Sequence, residues 1–161
     1  MSDWYKQYEK NVFNLLKNEK DRDIHFFRIE EMLRMAERTD RYALSCSKCL
    51  SFRNLLNEEQ KSLKKAVQYP GKERKELDKL QIEMSAHMKK IHGFYPPSYF
   101  SYLYSTIGII LFIAFALIFY LFFPSFSLWN ILSVAFAAGV IIGQITGHKK
   151  DNKIKTEGKV L

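Results

Sequence analysis

Two short spacings carry the chemistry of this chain: Cys46-Ser47-Lys48-Cys49, a C-x2-C, and the pair His87 and His92, an H-x4-H. Thiolate and imidazole together suit a closed tetrahedral zinc site, and both spacings fall within the ranges that structural zinc uses. Four protein ligands leave no open position for water or substrate, so the expected zinc is structural. No signal peptide is visible at the start, which leaves the thiols in a reducing compartment where a structural disulfide is disfavoured. A redox reading of the C-x2-C needs a strand-helix setting that its flanks do not supply. His25 is a candidate substitute ligand, although a helix-surface or core histidine is its simpler reading.

The gap between the two pairs is far longer than in a small zinc finger, so the fold itself must close it. A helical hairpin turned near Tyr69 and Pro70 would set Cys46 against His92 and Cys49 against His87, at its open end. Histidines five apart on an ideal helix point about 140° apart. The last turn before Gly93 must therefore loosen for both to reach one ion. Nothing else in the chain reads as catalytic: there is no phosphate-binding glycine loop, serine-nucleophile motif or H-E-x-x-H signature. Glu30, Glu31, Glu58 and Glu59 read as solvated helix faces, and the chain is expected to be non-enzymatic.

The elements that position these residues are predicted to be all-α. Trp4, Tyr5, Tyr8, Val12, Phe13, Leu15 and Leu16 recur at helical spacing from Asp3 to about Asn18, with Ser2 or Asp3 to cap the start. After a charged break, Ile24, Phe27, Ile29, Met32, Leu33 and Ala36 supply the stripe of a second helix to about Ala43. A third is predicted from about Leu50 to Gln68, with Leu55, Leu56, Leu63 and Val67 inward and Tyr69-Pro70-Gly71 as its stop. A fourth runs from Lys72 to His92, with Leu77, Leu80, Met84, His87 or Met88, and Ile91 near heptad spacing and Gly93 ending it. The third and fourth form an antiparallel hairpin spanning about residues 46–92, within a helical portion of residues 1–98.

Beyond Pro96 and Pro97 the composition changes. All 25 Lys and Arg and all 17 Asp and Glu lie in the first hundred residues or after Gly147. The uncharged remainder holds two apolar runs, about 102–123 and 128–147, separated by Pro124-Ser125-Phe126-Ser127. Each is long enough, at about 1.5 Å per residue, to cross a hydrocarbon core of about 30 Å. Residues 99–148 are thus expected to form a transmembrane hairpin. Phe122, Phe123, Phe126 and Trp129 mark its far interface, and Tyr99, Tyr102, His148, Lys149 and Lys150 the near one. An uncharged turn between basic flanks places both termini in the cytoplasm, with a bacterial inner membrane as the expected setting and residues 149–161 as a basic cytoplasmic tail.

Ala135, Gly139, Gly143 and Gly147 recur every four residues on the second span, a face that lets helix backbones approach closely in lipid. Gln144, beside Gly143, is expected to seek an interhelical hydrogen bond. The partner of this face is either the first span, where Gly108, Ala114 and Ala116 offer matching small residues, or another chain, through self-association or within a larger complex. The net charge of +8 is made of charges mixed in sign, with no long basic run, which argues against nucleic-acid binding. These features together predict a membrane accessory or anchoring subunit with a zinc-clasped helical hairpin. A membrane-tethered zinc- or redox-responsive regulator is the alternative, ahead of a small oligomeric transporter, for which Gln144 and Asn130 alone make no ion pathway.

Overall fold

The structure, a computed structural model, describes residues 3–125 and 127–161, so that Ser2 as a cap and Phe126 as an interface residue lie outside the described residues. Eight helices and no strand make up the described chain, as the all-α reading expects. It divides into two units, one running to Phe94 and taking in Leu161, the other spanning Tyr95–Val160.

The first unit contains α1 (Asp3–Leu16), α2 (Asp21–Phe26), α3 (Ile29–Tyr42), α4 (Ser47–Glu59), α5 (Leu63–Gln68) and α6 (Lys72–His92). Two of the expected helices are each broken in two. Between α2 and α3, Arg28 takes a left-handed conformation (φ 54°), and its guanidinium donates to both carboxylate oxygens of buried Glu31 at 2.7 and 2.5 Å. Between α4 and α5, the Ser62 hydroxyl donates back to the Glu59 carbonyl at 3.1 Å, while the Gln60 amide donates to the Tyr8 carbonyl on α1 at 3.3 Å. Such side-chain to backbone bonds offer the chain an alternative to the helical ladder. Leu55, expected in the core, is 37% exposed, whereas Phe52 and Leu56 are wholly buried.

The turn between α5 and α6 is where the sequence places it. Pro70 has no N–H to continue a helix, and Arg74 reaches back from α6 to donate to the Ala66 and Val67 carbonyls, each at 3.0 Å. Those are carbonyls that the end of α5 leaves without helical partners. The Lys65–Glu73 ion pair spans the same turn. Below it the core is a continuous layer in which Val12, Met32, Met35, Phe52, Leu63, Leu77, Met84 and Met88 are all buried. Each such side chain contributes about 1.5–3 kcal/mol from removal of apolar surface from water. This core holds α4 and α6 in place for the cysteines and histidines at their ends.

The second unit is a hairpin of α7 (Tyr99–Phe122) and α8 (Leu128–Thr156). Both helices are long and apolar enough to cross a membrane, and only 6% and 17% of their most apolar windows are buried. A core helix of a water-soluble protein hides its apolar side chains; these present theirs outward. The small-residue face of α8 is consumed by α7. A Cβ added at Gly139 would lie 2.8 Å from the Gly108 carbonyl, one at Gly143 would strike the backbone of Tyr104 and Ser105, and one at Gly147 that of Phe100 and Ser101. Ser101, Ser105 and Gly108 are therefore the matching small positions on α7. Gln144 does not join this contact: it is exposed, turned out of the helix pair. Nor does α8 end with its apolar run, because it continues as helix to Thr156 through residues expected to form a tail.

Candidate metal centre

Two helix ends build the site. Cys46 is the residue just before α4, held in extended conformation (φ −135°, ψ 111°), with its own N–H bonded to the Tyr42 carbonyl at 2.9 Å and its carbonyl accepting from Leu50. Cys49 follows one turn later on the buried face. From the other side come His87, within α6, and His92, its last residue. The end of α6 is widened. The Gly93 N–H bonds the Met88 carbonyl five residues back, and Phe94 N–H bonds the same carbonyl at 3.1 Å. An i to i−5 closure is a π-type turn, which adds a residue to the loop and swings His92 toward the face of His87. Gly93, in left-handed conformation at φ 69°, makes this closure at no steric cost.

The four donor atoms lie within 4.8 Å of one another. Cys46 Sγ is 3.4 Å from His87 Nε2, Cys49 Sγ is 3.5 Å from the same nitrogen, and Cys49 Sγ is 3.3 Å from His92 Nε2. A tetrahedral zinc ion bonded at about 2.3 Å to sulfur and about 2.0 Å to nitrogen holds S and N about 3.5 Å apart. The spacing of the side chains thus fits such an ion, with Cys46 and Cys49 as thiolates and the two imidazoles bound through Nε2. Cys49 meets His87, as the hairpin register expects, but it also meets His92, and Cys46 lies against His87, as a compact four-point cluster requires.

The electrostatics suit a cation. The backbone amides of Cys49 and Lys48, at the first turn of α4, draw the Cys46 thiol below its ordinary pKa. Burial, with the neighbouring Cys46 sulfur, pushes Cys49 up to about 12, so this thiol keeps its proton until a positive charge arrives. Burial also lowers His87, helped by His92 and Lys48, and lowers His92, favouring the neutral imidazoles that bind metal. Tyr42 stacks on His92 with ring centroids 4.1 Å apart, and Phe52 meets His87 edge-on at 5.6 Å. These rings fix the two imidazoles and keep water from one side of the cluster. Phe52, three residues past Cys49 on the same helix, was legible in retrospect from spacing alone; Tyr42, on α3, was not.

Of the other sequence-predicted positions, His25 is exposed on α2 and takes no part in the cluster. Tyr102 and Trp129 are 74% and 77% exposed, Lys149 and Lys150 are exposed, and Tyr99 is half-buried. From Tyr102 to Phe122 on α7, and from Trp129 to Lys149 on α8, the helical rise gives about 30 Å, the thickness of a hydrocarbon core. One residue at this end escaped the sequence reading. The Asp151 carboxylate accepts from the Phe100 and Ser101 amides at 2.9 Å each and from the Ser101 hydroxyl at 2.6 Å. An acidic side chain from α8 thereby caps the first turn of α7, whose own preceding residue, Ser98, makes no side-chain cap. Compared with protein families, with characterised proteins and with solved structures, the chain matches none, and its function rests on these sites alone.

Proposed function

We propose that this chain is a non-enzymatic, two-pass membrane accessory or anchoring subunit whose helical N-terminal portion is clasped by one structural zinc ion. The observation that carries the reading is the closed cluster of Cys46, Cys49, His87 and His92, with donor atoms within 4.8 Å and no ligand position left for a substrate. Zinc there would supply folding energy, because binding to thiolates and imidazoles is coupled to closing the chain around the ion. The tight hairpin of α7 and α8 supports anchoring and argues for no pore: glycines meet backbone, and residues 101–147 contain no Asp, Glu, Lys, Arg or His. With the small-residue face of α8 filled by α7, a partner in the membrane meets the outward faces. One such face is an apolar groove of about 430 Å³ lined by Phe112, Phe119, Asn130 and Val134 among others.

Full-length protein purified in mild detergent should carry about one zinc per chain by elemental analysis. Cys46→Ser, Cys49→Ser, His87→Ala and His92→Ala should each lower that content several-fold, and His25→Ala should leave it intact. Metal-free protein that melts no earlier than the purified form would overturn the clasp. A second reading, a zinc- or redox-responsive regulator, is favoured by one observation: Cys46 is only half-buried and its thiolate is stabilised at a helix start, the setting of a reactive cysteine. Release of zinc by mild peroxide, reversed by thiol, with a change in bound protein partners, is the outcome that would select it.

A further inference from the structure

The continuation of α8 beyond its apolar span presents a surface that the anchoring role does not use. In residues 148–159 five lysines stand against two carboxylates, Asp151 and Glu157. Both carboxylates are engaged: Asp151 caps α7, and Glu157 pairs with Lys159 at 2.8 Å. Lys149, Lys153 and Lys155 are exposed and make no ion pair among the described residues. Lys149 and Lys153 are one turn apart on one face, where like charges repel each other unless an anion lies between them. Beside them Lys150 reaches across to α7, its ammonium 3.2 Å from the Tyr104 hydroxyl and 4.3 Å from the centre of the Phe100 ring. Helix, not flexible tail, carries Lys149, Lys150 and Lys153, which lie four, five and eight residues beyond Ile145 at the end of the apolar run.

We propose that Lys149, Lys150 and Lys153, with the Tyr104 hydroxyl, form a binding surface for the phosphate of an anionic phospholipid headgroup. The choice of lipid follows from continuity: the apolar faces of α7 and α8 run directly into the lysine cluster, so acyl chains and phosphate are met by one uninterrupted surface. Lysine suits such a contact as a mobile point charge on an apolar stem that lies along the hydrocarbon edge. The proposal rests on the two-pass reading and adds selectivity for headgroup charge.

The test is native mass spectrometry of the full chain released from nanodiscs of phosphatidylcholine containing one-fifth phosphatidylglycerol. Phosphatidylglycerol should stay bound preferentially. Each lysine near an anionic surface strengthens binding about five-fold, so Lys149→Gln with Lys153→Gln should reduce the retained phosphatidylglycerol by roughly 25-fold. Lys64→Gln with Lys72→Gln, exposed lysines of the first unit, should not reduce it. Equal retention of both lipids, or equal loss in both double variants, overturns the headgroup site while leaving the two-pass reading standing. Failure of the chain to enter nanodiscs of either composition overturns both. Competition by inorganic phosphate at millimolar concentration, or tighter binding of a single-stranded oligonucleotide, would show that the lysines serve a soluble anion instead.

Discussion

At the scale of the residue, Cys49 holds the balance of the metal site. It is fully buried, yet a ligand must be a thiolate, and burial without a cation opposes that charge. The consequence has a definite sign. In metal-free protein Cys49 binds its proton more tightly than in the unfolded chain, so its contribution to stability is present below the ordinary thiol pKa of 9.0 and is lost as pH rises beyond it. His87 and His92 are shifted the other way, below 6.5, so theirs is present above 6.5 and is lost as pH falls through the depressed values. Thermal melts of chelator-treated protein should therefore show a stability maximum between about pH 7 and 9, falling on both sides. Zinc should remove the alkaline fall, because the bound thiolate no longer has a proton to lose. An alkaline fall of the same size with and without metal would separate Cys49 from the ion.

At the scale of the element, α8 depends on contacts made without side chains. Gly143 lies against the Ser105 backbone, so Gly143→Leu forces the two helices apart, while Ile141, 57% exposed, has room for Leu. Overpacking of this kind costs about 1–3 kcal/mol. The measurement is the sodium dodecyl sulfate fraction at which helicity and hairpin compactness are lost, which should drop for Gly143→Leu and stay put for Ile141→Leu. The Asp151 cap acts at the end of the same pair. Removing a capping acceptor costs about 0.5–2 kcal/mol, and Asp151→Ala should speed amide exchange at Phe100 and Ser101, the two N–H groups it satisfies. Exchange unchanged at those amides would show that water replaces the carboxylate there without loss.

At the scale of the whole molecule, two units of opposite surface chemistry share one chain. The first hides its apolar side chains in a core that ends in the metal cluster; the second presents them outward along two helices. A hairpin whose connecting turn holds no charge and whose flanks are basic should have both termini on the cytoplasmic side. Ser125→Cys should then react with a membrane-impermeant maleimide added to intact cells, and a cytoplasm-active reporter should work at either terminus. Activity of a reporter at one terminus alone would mean a single crossing and would remove the hairpin from the membrane.

The amino-acid sequence by itself determined the elements that depend on local order: the span of α6 from Lys72 to His92, the turn at Pro70, the two apolar runs, and the four residues Cys46, Cys49, His87 and His92, whose types and spacing suit a metal ion. It did not show the breaks at Arg28 and at Gln60 to Ser62. These are set by an ion pair to a buried carboxylate and by a hydrogen bond to a distant helix. Tertiary structure alone decided which helix covers the glycine face, since small residues signal close approach without naming what approaches. Ser101 and Ser105 carried no such signal on an aromatic-rich helix. The same holds for Asp151, an ordinary acidic residue in a basic stretch until its carboxylate is seen against the free amides of α7. Local spacing is written in the chain, but which surfaces meet is settled by packing, where burial and backbone hydrogen bonding must be satisfied together.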